Sequence, residues 1–353
     1  MPKHVEDKNI HFPTRRALLA QLAVGLPWMA SAHAQAAAPK IAFVSHAPDT
    51  DTWWNTIRNS LAHASEDFGV QVDYLNPPDG SIAAMAQLLG GLATARYAAV
   101  ISTIADFAAL GEHLRSVVKR KLPLITVNSG TESQSEQVGA LLHIGQPEFL
   151  AGREAGAHYA KTGAKSVICF NHYPTNPASM ERCNGFRAGL GDNARMLVVK
   201  LTGTAAENQA VVTEALRKNE AFDVALALGP TSAHPVLAAQ AAGARAPTLV
   251  TFDLSSDIVA GIRSGKVAFA IDQQPYLQGY LSVGFLAESL RMAADTSKLA
   301  LKLALYAQPK LHERMSRYGL SLKASDGQHI HSGPGFVGRL NVDKVERFSG
   351  QYR

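Results

Sequence analysis

Several short apolar runs in this chain end in side chains that could hold a small molecule. Residues 40–45 are followed by Asp51-Thr52-Trp53-Trp54, and residues 98–102 end in Ser102-Thr103. Residues 123–128 end in Asn128-Ser129, and later runs end in Asn171-His172, Gly229-Pro230, Phe252-Asp253 and Asp272-Gln273-Gln274. Most of these groups are neutral, and they come with aromatic rings and a few carboxylates. Hydroxyl groups need partners that both give and accept hydrogen bonds. The C–H faces of a polyhydroxylated ring pack on aromatic side chains, which also exclude water. The mixture therefore suits an uncharged, hydroxyl-rich guest.

Each of these residues has a plainer reading. Trp53 and Trp54 open a helical stretch, so one can be core, and at least one is expected to line a cleft. Asp253 can be a helix N-cap as readily as a ligand contact. Arg182 is placed in the first turn of a helix, where the dipole disfavours a cation, so an anionic or hydroxyl partner is expected. His172 can be a ligand contact or a satisfied core or surface histidine. His329 and His331 form a His-x-His pair in a Gly-rich stretch and are read as part of a solvated loop rather than as metal ligands. Asp253, His172 and Ser129 could be imagined as a catalytic triad, but their spacing does not support one. No Gly-x-Gly-x-x-Gly follows the first run, and there is no phosphate loop or nucleophile elbow, so no cofactor and no enzyme activity are expected.

The elements that must position these residues alternate. Apolar runs at 40–45, 70–75, 98–102 and 123–128 read as buried strands. Between them, residues 52–68, 82–95 and 105–120 show apolar positions at helical spacing. The rhythm restarts with helices at 147–162, 179–190, 207–219 and 233–242 and strands at 166–170, 196–201, 224–228 and 248–252, and closes with a strand at 267–272 and a helix at 276–294. Such a βαβ rhythm implies parallel sheets covered on both faces, here two α/β units in tandem. In open parallel sheets a ligand sits beyond the carboxyl ends of the strands, which is where the polar groups above fall. From residue 307 periodicity fades, and a loop that wraps a lobe and ends in a short helix near 341–347 is expected.

With 353 residues, 46% hydrophobic and 18% charged, the chain can bury two cores. The net charge of +5 falls to +3 without the four basic and two acidic residues that precede Gln35, and no basic run remains. That is too mild and scattered for nucleic acid. Thr14-Arg15-Arg16-Ala17-Leu18-Leu19, an apolar stretch at 17–30 and Ala32-His33-Ala34 have the order of an export signal of twin-arginine type, with cleavage expected after Ala34 and an ordinary Sec signal as the alternative. The apolar stretch is too short for a spanning helix, and no lipobox cysteine follows it. The two cysteines, Cys169 and Cys183, are read as separately buried thiols, although a strand–helix bridge is geometrically possible in the periplasm.

Taken together, Asp51-Thr52-Trp53-Trp54, the run 122–128, His143-Ile144-Gly145-Gln146 with Ala151-Gly152, Glu181 to Phe186, Thr251-Phe252-Asp253 and Ala270 to Pro275 resemble the type I periplasmic sugar-binding proteins of ribose and galactose type. The resemblance runs from residue 40 to about residue 305. It implies two doubly wound parallel-sheet lobes joined by a three-strand hinge, with the strands crossing near 142–145, near 273–275 and near the start of the tail. The first lobe is expected at 40–143 with 275–310, the second at 144–274, and the tail 311–353 packed on both. The implied ligand contacts are Asp51, Trp53, Trp54, Ser102, Asn128, Arg182, Phe252 or Asp253, and Gln273. Where the family often has Asp-Arg, this chain has Asn128-Ser129, and where it often has Asn-Asp, this chain has Gly229-Pro230. These departures point away from the usual pentose or hexose pyranose and toward a polyol, an unusual sugar or a different small polar molecule. The resemblance also implies a monomer in the periplasm that closes on its ligand and docks on the membrane permease of an ABC importer. The same lobes could instead present a ligand to a chemoreceptor or sensor kinase.

Overall fold

The structure, a computed structural model, describes residues 37–92, 94–244, 246–323 and 327–353. The expected export signal and its cleavage point lie outside the described residues. Twelve strands follow in chain order: β1 (Lys40–Val44), β2 (Gln71–Leu75), β3 (Ala99–Ser102), β4 (Leu124–Val127), β5 (His143–Gly145), β6 (Ser166–Asn171), β7 (Arg195–Lys200), β8 (Val224–Ala227), β9 (Thr248–Phe252), β10 (Val267–Asp272), β11 (Ile330–His331) and β12 (Gly335–Val337). They form two six-stranded sheets, ordered β11-β5-β4-β3-β1-β2 and β12-β10-β9-β8-β6-β7. The expected pair of parallel-sheet lobes is present, with one departure: the edge strand β12 runs antiparallel to β10.

Both faces of each sheet are buried, which explains why the strands read as unbroken apolar runs rather than alternating ones. In the first lobe Ile41, Phe43 and Ile101 pack under Tyr276, Tyr280 and Leu281 of the helix Pro275–Arg291, while Ala42, Val44 and Val100 face Met85, Leu110 and Leu114. In the second, Ile168 and Phe170 meet Val212, Val236 and Ile258 on one side, and Val167 and Cys169 meet Ala151 and Phe186 on the other.

On that last side two helices touch backbone to backbone. Glu148–Ala160 carries Gly152 and Gly156, and Pro177–Leu190 carries Gly185 and Gly189. A Cβ on Gly156 would lie 2.1 Å from the Phe186 carbonyl oxygen, and one on Gly185 would lie 2.1 Å from the Phe149 oxygen. Only hydrogen fits there, so this Gly-x-x-x-Gly pairing sets the separation of the two helices. The approach also brings Cys183 over β6, where it is disulfide-bonded to Cys169 with a Cα–Cα distance of 6.1 Å. The expectation of two free thiols is therefore wrong. The sequence shows neither the close helix packing nor the face of β6 on which Cys169 lies.

Three crossovers join the lobes: after β5, after β10, and between β11 and β12. They lie side by side, because a Cβ on Gly333 in the third would meet Gln146 Oε1 of the first at 2.8 Å and Gln273 Cα of the second at 3.0 Å. The third crossing comes later than expected. After Pro275–Arg291 the chain stays on the first lobe through the helices Lys298–Tyr306 and Pro309–Tyr318, whose Leu301, Leu305, Leu311 and Tyr318 join that lobe's core. The region expected as a loop thus holds a helix and two short strands. Its apolar residues Leu311, Met315 and Tyr318 recur at helical spacing among charged neighbours. His329 and His331 are likewise not in a solvated loop. His329 is buried, with Nε2 3.3 Å from Glu136 Oε1, and His331 lies on β11 with Nε2 2.8 Å from Glu132 Oε1. No helix among the described residues is long and apolar enough to cross a membrane.

Candidate functional site

A cavity of about 610 Å³ lies between the carboxyl ends of the two sheets. The first lobe contributes His46, Asp51, Trp53, Trp54, Asn128 and Ser129 to its wall, and the second contributes Glu148, His172, Tyr173, Arg182 and Asp253. Gln273 enters from the second crossover.

Two wall residues hold backbone conformations that side chains rarely adopt. Asn128 follows β4 with φ of 61°, and Asp253 follows β9 with φ of 65°. Asn and Asp bear the left-handed conformation best, and such turns cluster at binding sites. Both turns direct a polar group toward Gln273. Asn128 Nδ2 donates to Gln273 Oε1 at 3.0 Å, and Gln273 Nε2 donates to Asp253 Oδ1 at 2.8 Å. One hydrogen-bonded chain therefore runs from the first lobe through the hinge to the second. Gln278 and Ser332 brace Gln273 from behind, and Ser332 Oγ donates to its carbonyl at 2.7 Å.

Asp253 does not cap a helix. Ser255 takes that role by accepting from Ile258 N. The Asp253 carboxyl is buried, which pushes its pKa up to about 7 even though the Arg182 charge and the Gln273 amide work in the opposite direction. Asp51 does cap: its Oδ1 accepts from Trp53 N at 3.1 Å and orients the turn Thr52–Trp54, and burial raises its pKa as well.

Arg182 lies in the second turn of Pro177–Leu190 rather than the first, and its anionic partner is internal. Nε meets Glu148 Oε2 at 2.7 Å, Nη2 meets Oε1 at 2.6 Å, and Nη1 donates to Leu228 O at 2.8 Å. The helix contact described above brings these two residues into range. The guanidinium also covers the ring of Phe252 at 4.4 Å.

The aromatic wall joins the lobes. Trp53 and Trp54 meet edge to face at 5.3 Å, His46 stands edge-on to Trp54 at 5.3 Å, and Tyr173 reaches His46 from the second lobe at 6.1 Å. Both tryptophans line the cavity; Trp54 is also core, at 3% exposure, while Trp53 is half-buried. Two imidazoles are held neutral. Burial lowers the pKa of His46 to about 4. Burial and the Arg182 charge lower that of His172 to about 3. His172 fills the space beside Gly229, where a Cβ would lie 3.0 Å from its Cε1.

Of the ten residues expected at the site, Asp51, Trp53, Trp54, Asn128, His172, Arg182, Asp253 and Gln273 share this cavity, and Ser102 and Phe252 do not line it. Ser102 is fully buried and donates to Thr103 O, while Phe252 is core beneath Arg182. Asp272 is also turned away, bound to Arg353 at 2.7 Å. The imagined triad is not assembled. Ser129 donates to Asn128 Oδ1, His172 Nδ1 meets Ser232 Oγ at 3.3 Å, and Asp253 accepts from Gln273. Sequence reasoning missed His46, Glu148 and Tyr173. His46 and Tyr173 come just after strands, where the same rule could have found them. Glu148 was signalled only by the need of Arg182 for a counter-charge.

Two lobes closing on a polar, ring-lined cavity at their strand ends agree with the sequence match. Residues 41–292 match the periplasmic binding protein domain. The chain belongs to this family. Among solved structures, a carbohydrate transporter from Acidothermus cellulolyticus 11B in complex with myo-inositol is similar at 26% identity and a TM-score of 0.72, covering 89% of this chain and 99% of that one. A solute-binding protein of an ABC transporter from Burkholderia graminis C4D1M, in complex with D-arabinose, shares the fold at 17% identity and a TM-score of 0.66, covering 86% and 97%. A periplasmic sugar-binding protein from Legionella pneumophila does so at 21% and 0.66, covering 72% and 95%. No curated protein matches the sequence.

Proposed function

We propose that this protein is the substrate-binding component of an ABC importer and captures one uncharged sugar or polyol between its lobes. The charge balance of the cavity carries the reading. Arg182 is the one arginine or lysine in its wall among the described residues, and Glu148 already occupies it from two sides. Asp51 and Asp253 add carboxylates, and His46 and His172 are neutral. An anionic ligand would therefore meet surplus negative charge and leave its water without a compensating cation. Hydroxyl groups find Asn128, Asp253, Gln273 and the Leu228-bound guanidinium, and a ring face finds Trp53. Asn128 in place of a family Asp, and Gly229 in place of a polar residue, favour a polyol or cyclitol over a common pyranose. The similarity to a myo-inositol complex supports the same choice.

The account includes export by a twin-arginine signal, action as a periplasmic monomer, delivery to a membrane permease, and binding without catalysis. Ligand contacts from both lobes exist only when the cleft is shut, so the ligand favours the closed state by its differential affinity. A thermal-shift screen of the purified protein against pentoses, hexoses, polyols, sugar acids and amino acids tests the reading. A stabilising shift from a neutral polyol or sugar is expected by mass action on the native state. Stabilisation by sugar acids or amino acids instead would overturn it.

A further inference from the structure

His46 and His172 enter the cavity from opposite lobes in the same manner. His46 follows β1, and its Nδ1 lies 3.0 Å from the Thr103 hydroxyl beyond β3. His172 follows β6, and its Nδ1 lies 3.3 Å from the Ser232 hydroxyl. The loop around His46 is pinned as well, since Ala47 N donates to Ser45 Oγ at 3.1 Å and Asn76 Nδ2 donates to Ala47 O at 2.8 Å. Trp54 and Tyr173 flank the His46 ring, which is 7% exposed. With one nitrogen held and the ring flanked, the direction of the other nitrogen is fixed.

That other nitrogen, Nε2, has no hydrogen bond in either histidine among the described residues. Nor is it sealed in. The buried side-chain atoms that lack a partner lie on Thr56, Tyr74, Gln146, Gln240 and Ser349, so each imidazole Nε2 keeps accessible surface, and both rings line the cavity. A neutral imidazole offers one N–H and one lone pair. Ser232 donates its only proton to Gly229 O at 3.1 Å, so His172 Nδ1 must supply the proton of its own bond, and His172 Nε2 is left as an acceptor. We infer that His46 is a ligand contact that sets specificity: its Nε2 binds one hydroxyl of the captured sugar or polyol from the first lobe, opposite His172 Nε2 in the second. A guest without that hydroxyl leaves a desolvated nitrogen unpaired, and sites built to hydrogen-bond a hydroxyl reject analogues that lack it. The inference rests on the binding function proposed above.

Asparagine and glutamine separate the two nitrogens of His46. An asparagine amide reaches as far as Nδ1 and can keep the bond to Thr103, whereas a glutamine amide reaches as far as Nε2. The full chain, His46→Asn and His46→Gln are each titrated calorimetrically with myo-inositol, or with the screen compound that most stabilises the parent, and each is melted without ligand. His46→Asn loses one neutral hydrogen bond to the guest, so it should bind about threefold to tenfold more weakly, while melting no lower than His46→Gln. His46→Gln should recover most of that affinity although it gives up Thr103. Affinity of His46→Asn equal to the parent's, or binding weakened more in His46→Gln than in His46→Asn, overturns the inference and leaves the binding function standing. A parent stabilised by no compound in the screen removes both.

Discussion

Glu148 holds Arg182 in a two-pronged ion pair across neighbouring helices, with contacts of 2.7 Å and 2.6 Å and side-chain exposures of 4% and 12%. The pair sits in the cavity wall, so it serves folding and recognition together. Removing one partner of a buried pair leaves an unpaired charge, which costs far more than the pair contributes. Glu148→Ala should lower stability by about 3 kcal/mol in urea unfolding, and Arg182→Ala should lower stability as well as affinity. The double variant Glu148→Met, Arg182→Met should recover much of the loss. Equal stability of single and double variants would show that the pair is not coupled.

The two tryptophans should separate by role. Trp54 is buried in the first lobe's core, so Trp54→Ala should cost about 3–5 kcal/mol. Trp53 is half-buried at the cavity, so Trp53→Ala should weaken ligand binding with a much smaller loss of stability. Calorimetric titration and denaturant unfolding of the two variants give the comparison, and equal effects on both quantities would contradict it.

The glycines between Glu148–Ala160 and Pro177–Leu190 should resist a single added methyl group. Gly185→Ala must push the helices apart and should destabilise by about 1–3 kcal/mol. Because the same helices carry Glu148 and Arg182, affinity should fall too. A variant as stable as the parent would mean that the contact is looser than the 2.1 Å approach implies.

The disulfide closes a short loop, with 14 positions separating Cys169 from Cys183. Replacing both residues with Ala should cost about 2–4 kcal/mol, through the unfolded chain's regained freedom. Thermal melting of the variant and of the reduced parent should fall together. A variant that melts like the oxidised parent would show that the bond adds nothing.

Asp253 gives stability a pH dependence of unusual sign. Its pKa is raised in the folded state, from 3.8 to about 7, so the folded form binds more protons between those values. Its burial cost is absent below pH 4, grows as pH rises, and is complete above pH 7. The depressed values of His46 and His172 act oppositely, removing stability as pH falls from 6.5 toward 4. Asp253→Asn isolates the carboxyl. The variant should be more stable than the parent at pH 8, by an amount on the order of a few kcal/mol, and should lose that advantage as pH approaches 4. A pH-independent difference between the two melting curves would contradict the assignment.

Strands buried on both faces are legible as apolar runs, and parallel sheets put their working residues at the strand ends. That is why Asp51, Asn128, His172, Asp253 and Gln273 could be placed in one cleft from sequence. Ser102 and Phe252 sit beside the same strand ends but point into the core, and a strand end alone does not say which way its last side chain turns. Contacts that depend on helix separation were not legible. The Glu148–Arg182 pair and the disulfide both follow from glycines two helices apart in space, and single-chain periodicity carries no such information. The place of segment 346–353 was hidden for a related reason. It is set by the stack of Tyr352 on Tyr318 and the ion pair of Arg353 with Asp272, pairs 34 and 81 positions apart in the chain.

Crystallising the protein with the neutral sugar or polyol that stabilises it most would locate the guest directly. The account predicts one molecule in the cavity between the lobes, its ring against Trp53 and its hydroxyls on Arg182, Asp253 and Gln273. Density for the molecule on another surface, with this cavity holding only water, would contradict it.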